Sequence, residues 1–335
     1  MENFKHIQTA HCENGVTVNL LQQQGLDFMT EPLAFGIGSG LFYIHIPFLK
    51  VNGGPAISFR SMPGAIFKRT CKVLNVPVVH KKFKTPEAAQ LFLDQKVDQG
   101  ISVGCQVGVF HLMYFPKEYR FHFNAHNLIV FGKDGDDYLV SDPVMETTTS
   151  LTKAELEKVR FSKGPMAPKG HIYYPEKAGI VTDEMLRKGI VKGINRNVRD
   201  MLRIPTKIAG VRGINHTASK VRKWRDQYGE RTGGLFLGQI VRMQEEIGTG
   251  GGGFRFLYAA FLEQASEKLG NDKLIGFSEQ FTKSGDLWRD SALQMAGIYK
   301  GRITAQKDFD DCADIMNEIS ALEKKAFQDL SKIKL

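Results

Sequence analysis

Cysteine is scarce in this chain: Cys12, Cys71, Cys105 and Cys312 are the four in 335 residues. They stand far apart and form no CxxC pair, which excludes a disulfide framework and offers no zinc site. Long apolar runs are missing too. No stretch approaches the roughly 18 apolar residues of a spanning helix. The start, Met1-Glu2-Asn3-Phe4-Lys5, has neither the basic nor the apolar region of a secretory signal, so the expected location is the cytoplasm, with no membrane as partner. Internal repeats are absent, and Gly248 to Gly253 is the one low-complexity segment. With 42% hydrophobic and 24% charged residues, the chain is neither disordered nor fibrous and has length for two domains.

Acid is lacking in one region. Twelve basic residues lie between Arg187 and Arg225 against a single acid, Asp200, while the whole chain carries +9. At 100° per residue, Lys188, Lys192, Arg196, Arg199 and Arg203 fall within an arc of roughly 80°. Ile190, Val191, Ile194, Val198, Met201 and Leu202 supply apolar contacts. The stripe reads either as a solvated face or as an electrostatic docking surface, centred on Lys192, Arg196 and Arg199. Nucleic acid is disfavoured, since no recognisable module or aromatic stacking platform accompanies the charge.

Periodicity changes along the chain. A helix is expected over residues 12 to 24, ended by Gly25. Strands follow at Phe42 to Phe48, Ile57 to Arg60, Val76 to Phe83, Ile101 to Phe110, Asn127 to Phe131, Tyr138 to Ser141 and Ile172 to Tyr174, with helices near Pro63 to Leu74 and Pro86 to Gln95. Beyond Pro175 strand signals stop. Helices are expected at Thr182 to Arg203, Ile214 to Tyr228, Gly234 to Glu246, Phe254 to Lys268, Lys273 to Lys300 and Ala305 to Lys332. The reading is α+β, with a first domain of residues 1–176 and a helical one of residues 177–335.

Three of the cysteines read as buried small hydrophobes. Cys12 differs, because it stands where a helix starts, and a helix N-terminus or a neighbouring imidazolium favours the reactive thiolate. His126 and Asp142 lie on the two strands of a hairpin whose turn is signalled by Asp134-Gly135. With a three-residue loop they share a face near the open end; with a two-residue loop parity places them on opposite faces. By spacing alone, Cys12 is either a nucleophile with His126 as base and Asp142 as orienting carboxylate, or a buried structural thiol. His122 is a rival base.

Several stretches together carry a family resemblance. They are His11-Cys12-Glu13-Asn14-Gly15, Glu31-Pro32-Leu33-Ala34-Phe35-Gly36-Ile37-Gly38-Ser39-Gly40, His126-Asn127 and Asp142-Pro143, then Gly248-Thr249-Gly250-Gly251-Gly252 followed by Phe254-Arg255-Phe256-Leu257-Tyr258. In this order they resemble the butirosin biosynthesis protein H-like family across nearly the whole chain. The resemblance implies a papain-like cysteine-enzyme domain with a mostly antiparallel sheet, followed by an all-α domain. It also implies an acyltransferase with Cys12 as nucleophile, His126 as base and Asp142 as orienting residue. The donor would be an acyl carrier protein bearing a phosphopantetheine thioester, and the acceptor an amine or hydroxyl on a small molecule. No permanently bound cofactor or metal is implied. A cysteine peptidase or amidase of the double-glycine leader type, or a non-catalytic binding module, are the alternatives.

Some residues remain open within this reading. Papain-like enzymes place an oxyanion-stabilising glutamine about six positions before the cysteine, where this chain has His6; Gln8, four before, or backbone amides are the substitutes. Glu31 either contacts a substrate amine or braces its loop. The Gly36 to Gly40 run lacks the strand, helix and acid of a dinucleotide loop and reads as a tight bend, with Gly38 near the substrate. Gly250, Gly251 and Arg255, before a helix start, suit an anion such as a pantetheine phosphate, or a plain interhelical connection.

Overall fold

The computed structural model describes residues 4–51 and 53–335. The chain runs through α1 (Cys12–Gln22), α2 (Glu31–Ile37), β1 (Leu41–Val51), β2 (Gly54–Arg60), α3 (Ala65–Val73), β3 (Val78–Lys81), α4 (Pro86–Asp98), β4 (Val103–Val107), β5 (His126–Asp134), β6 (Asp137–Ser141), β7 (Thr149–Leu151), α5 (Lys153–Arg160) and β8 (Ile172–Pro175). Then come α6 (Asp183–Leu202), α7 (Gly210–Val241), α8 (Arg255–Leu269), α9 (Lys273–Tyr299) and α10 (Gln306–Leu330). This is the expected α+β order. None of the described helices is long and apolar enough to cross a membrane.

Two compact units divide the chain: Met1–Ala34 with Ile66–Met185, and Phe35–Ala65 with Leu186–Leu335. The first unit holds a six-stranded antiparallel sheet in the order β3-β8-β4-β5-β6-β7. Leu93 and Val97 of α4 and Leu156 and Val159 of α5 share a core with Cys105, Val107, Leu128 and Val130 of the central strands. Helix α1 packs against β4, β5 and β8. Every residue from Cys12 to Leu21 is buried, so α1 has no polar stripe, and its periodicity is silent.

The boundary expected at residue 176 lies a few residues before the crossing at Met185, but the first domain needs a correction. Phe35–Ala65 belongs to the second unit. The reason is side-chain chemistry: Leu41, Tyr43 and His45 bury one face of β1, the Tyr43 hydroxyl donates to Thr217 Oγ1 at 2.9 Å, and Phe59 of β2 meets Trp288 edge-on. The two strands pair with each other as a hairpin. The helices expected at Ile214 to Tyr228 and Gly234 to Glu246 form α7, broken at Gly229 (φ 78°, ψ 163°), and a π-turn over Arg242–Glu246.

The second unit is centred on a buried ion pair. Arg255 and Glu323 are both fully buried, and the guanidinium donates through Nε and Nη2 to the two carboxylate oxygens at 2.8 and 2.9 Å. Ser284 and the Trp288 indole also donate to Glu323 Oε1, and the guanidinium lies over the rings of Phe59 and Trp288. Removing one partner of such a pair leaves a charge without water or counter-ion. We expect Glu323→Gln to destabilise the second unit by about 3–5 kcal/mol. Denaturant unfolding followed by tryptophan fluorescence measures this, since Trp224 and Trp288 both belong to that unit.

Candidate active site

The segment before α1 is tied down atom by atom. The Ile7 amide donates to Asn19 Oδ1 at 2.8 Å, and Asn19 Nδ2 donates back to the Ile7 carbonyl at 2.9 Å. The amides of Ala10 and His11 donate to the two oxygens of Glu31, each at 2.9 Å, and Asn14 Nδ2 donates to Oε1 at 3.3 Å. His11 then caps the helix, its Nδ1 accepting from the Asn14 amide. Glu13, the acid of the same motif, accepts from the Ile66 amide at 2.8 Å and so caps α3 instead of facing the thiol. Cys12 is left at the first position of α1, where the helix dipole makes the field positive.

The same segment runs beside the end of β6. The Thr9 amide donates to the Pro143 carbonyl at 2.7 Å. His6 bonds Ser141 Oγ at 2.7 Å and the Met145 carbonyl at 3.0 Å; because a carbonyl only accepts, Nε2 carries the proton and Nδ1 accepts from the serine. Gly15 lets α1 close on this strand end, since a Cβ there would lie 2.1 Å from Thr9 Oγ1 and 2.3 Å from Pro143 Cβ.

The hairpin parity has an answer that loop length alone does not supply. The loop is two residues, Gly135 and Asp136, with Asp134 opposite Asp137, which by itself places His126 and Asp142 on opposite faces. A β-bulge at Phe131 intervenes: Gly132 pairs with Leu139, but Val130 pairs with Val140 and Ile129 with Ser141. The extra residue restores parity. Continuing the register sets Leu128 opposite Asp142, and His126 shares the face of Leu128.

His126 Nε2 accordingly donates to Asp142 Oδ2 at 2.7 Å. Asp142 is fully buried and also accepts the Tyr114 hydroxyl at 2.8 Å on Oδ2 and the Val144 amide at 3.3 Å on Oδ1. Burial and the neighbouring carboxylate push the Tyr114 phenol well above its ordinary range, which keeps it a donor. Phe115 rests edge-on against the imidazole. Nε2 is held by Asp142, and Cys12 interacts electrostatically with the same ring. Burial lowers the His126 pKa, but the charges of Asp142 and Cys12 outweigh it and push it up to about 10. Burial raises Cys71 to about 12, Cys105 to about 11 and Cys312 to about 12, as inert thiols require.

Two family models match the chain in consecutive stretches. Residues 11–143 match the model for butirosin biosynthesis protein H, N-terminal, and residues 154–330, more than half the chain, match a domain of unknown function, DUF4872. The chain belongs to the DUF4872 family, with a butirosin protein H-type N-terminal domain. No curated protein matches it. Among solved structures, one described as a C39-like peptidase from Bacillus anthracis is similar over 53% of this chain and 96% of its own, at 16% identity and a TM-score of 0.37. The first unit sets the thiol at a helix start and the imidazole on a strand.

Other expected site residues fall elsewhere. Glu31 is a brace: its oxygens hold Ala10, His11 and Asn14, and burial raises its pKa against those bonds. Gln8 is exposed on the leading segment, and the side-chain amide facing the sulfur is that of Asn127. Gly38 lies in the turn after α2, within the second unit, where its neighbour Gly36 makes room for the Phe261 ring. Arg255, expected to face an anion, is neutralised by Glu323. Gly250 and Gly251 adopt positive φ, the Gly251 amide donates to Thr249 Oγ1 and that of Gly252 to Glu245 Oε1, so this turn is organised internally. His122 is exposed and stacks on Phe110. A cavity of about 430 Å³ opens near the far end of α1, lined by Leu20, Gln24, Lys96, Tyr174 and Lys177; Cys12, His126 and Asp142 are not among its walls.

Two outcomes follow. Gly15→Ala should separate α1 from Pro143, because a ring carbon and a pinned threonine cannot yield 1 Å; we expect at least a 10-fold fall in Cys12 alkylation by iodoacetamide while the fold persists by circular dichroism, on the scale that small misplacements cost. His126 also links stability to pH. Its folded-state pKa lies above the unfolded value of about 6.5, so its contribution is complete below about 6.5, declines as pH rises, and is gone above about 10. The melting-temperature difference between the wild type and His126→Gln should shrink steadily across that window.

Proposed function

We propose that this chain is a cysteine acyltransferase that takes an acyl group from a phosphopantetheine thioester on an acyl carrier protein and passes it to an amine or hydroxyl of a small acceptor. One observation supports the reading: His126 bonds Asp142, and the next residue, Asn127, reaches the Cys12 sulfur, within the segment that matches the butirosin protein H N-terminal family. In the first half-reaction the Cys12 thiolate attacks the thioester carbonyl, a new C–S bond forms, and the pantetheine thiolate leaves with a proton from His126. In the second, His126 takes a proton from the acceptor as it attacks the acyl-enzyme, and Cys12 is released. Asp142 holds the imidazole in one tautomer and supports its positive form throughout.

The basic stripe on α6 suits the acidic partner this reading requires. Lys192 and Arg199 are exposed and Arg196 is half-buried; Asp200 pairs with both arginines, at 2.6 Å from Arg199 and 3.5 Å from Arg196, and fixes their heads beside one another. Complementary charge speeds encounter more than it tightens the complex.

Intact mass after exposure to a panel of acyl carrier thioesters tests both parts. An acyl adduct is expected on the wild type and on Cys71→Ala, Cys105→Ala and Cys312→Ala, none on Cys12→Ala, and Asp142→Asn should slow its formation by a factor on the order of 10³–10⁴. Absence of any adduct overturns the reading, and rapid loss of the adduct to water without acceptor makes the chain a hydrolase. The triple variant Lys192→Glu, Arg196→Glu, Arg199→Glu should react roughly 10-fold more slowly with carrier-bound donor and as fast as the wild type with a small free thioester. The carrier-dependent rate should fall with salt, since exposed charges are screened over about 8 Å at physiological ionic strength.

A further inference from the structure

Acyl transfer to a thiol needs a donor for the carbonyl oxygen as it becomes negative; Gln8, the side chain expected in that role, is exposed, and His6, which stands where papain-like enzymes carry their glutamine, is tied to Ser141 and Met145. Asn127 presents a different amide. It follows His126 on β5, is buried, and its Nδ2 lies 3.8 Å from Cys12 Sγ. The orientation of this amide is not free. Nδ2 also donates to the Ala125 carbonyl at 3.1 Å, and a carbonyl cannot donate in return. The opposite end, Oδ1, accepts the Tyr173 hydroxyl at 2.7 Å. One N–H is therefore used on the backbone, and the second points towards the sulfur.

The distance suits an oxyanion better than it suits the thiol. A strong hydrogen bond to sulfur would be shorter, whereas in the tetrahedral intermediate the oxygen extends from a carbon bonded to that sulfur, into the space an amide 3.8 Å away can reach. We infer that Asn127 is the side-chain oxyanion donor of this site, with Tyr173 as the residue that positions it, an assignment that rests on the acyl-transfer reading above. As the Cys12–acyl bond forms, the carbonyl π pair moves to oxygen and Asn127 Nδ2–H donates to it. When the pair returns, the bond to the leaving group breaks and the hydrogen bond weakens. Tyr173 belongs to an aromatic group with Phe67, His80 and His171, which holds the phenol in place.

Two reagents separate this role from mere activation of the thiol. Acetylation by p-nitrophenyl acetate passes through an oxyanion, and alkylation by iodoacetamide does not. Single-turnover acetylation of Cys12 in Asn127→Ala should fall by about 10²–10³-fold, with alkylation across pH 5 to 10 changing less than about threefold. Tyr173→Phe keeps the ring and removes the hydroxyl; it should slow acetylation roughly 10-fold without moving the pH profile of alkylation, and it provides the test if Asn127→Ala does not fold. Equal losses with both reagents would mean that Asn127 acts on the thiol and overturn the oxyanion role, as would unchanged acetylation. A wild type that is alkylated at Cys12 but never acetylated would overturn the acyl-transfer reading and this role together.

Discussion

Everything at the candidate site depends on fastening the residues before α1 to the residues after β6. Thr9 to Pro143, His6 to Ser141 and Met145, and Ile7 to Asn19 form a continuous seam. The seam places a helix start, which carries the sulfur, against a strand end, which carries the carboxylate. Each bond alone contributes about 1 kcal/mol; acting together they settle the distance between two groups 130 residues apart in the chain. Tyr114 completes the arrangement from a third direction by occupying Asp142, so that carboxylate has little freedom to leave the imidazole.

Much of the framework was legible in the residues. Alternating apolar patterns located seven of the eight strands among the described residues, and 3.6-residue patterns located the helices after Pro175, because one-sided burial leaves a periodic trace. The short elements α2, β7 and α5 leave too little period to see. Phe35–Ala65 was assigned by its place in the chain, but Tyr43, His45 and Phe59 find their partners on distant helices, and no local pattern announces a long-range choice. Glu31 illustrates the same limit: its carboxylate looked equally suited to a ligand or to a loop, and only the positions of the Ala10 and His11 amides decide between them.

The basic residues show how little charge alone says about role. Arg255 occupies a helix start after a glycine-rich run, the setting of many anion sites, yet Glu323 lies beside it from 68 residues away. The glycines serve backbone geometry: Gly250, Gly251, Gly252, Gly253 and even Phe254 have positive φ, a sequence of conformations that residues with a Cβ resist. Lys192, by contrast, is exposed on α6, and Arg199, exposed beside it, is paired with Asp200.

The bulge at Phe131 has a consequence for how this hairpin can change over evolutionary time. Side chains alternate along β5, so the count of residues between His126 and Asp142 is set modulo two, with Phe131 making the count come out right. A single insertion or deletion in the turn would invert the face of one strand of the hairpin relative to the other, whereas a change of two would leave it intact. Homologous hairpins that keep the histidine and the aspartate should therefore differ in length by even numbers, or lose the bulge whenever they differ by an odd one.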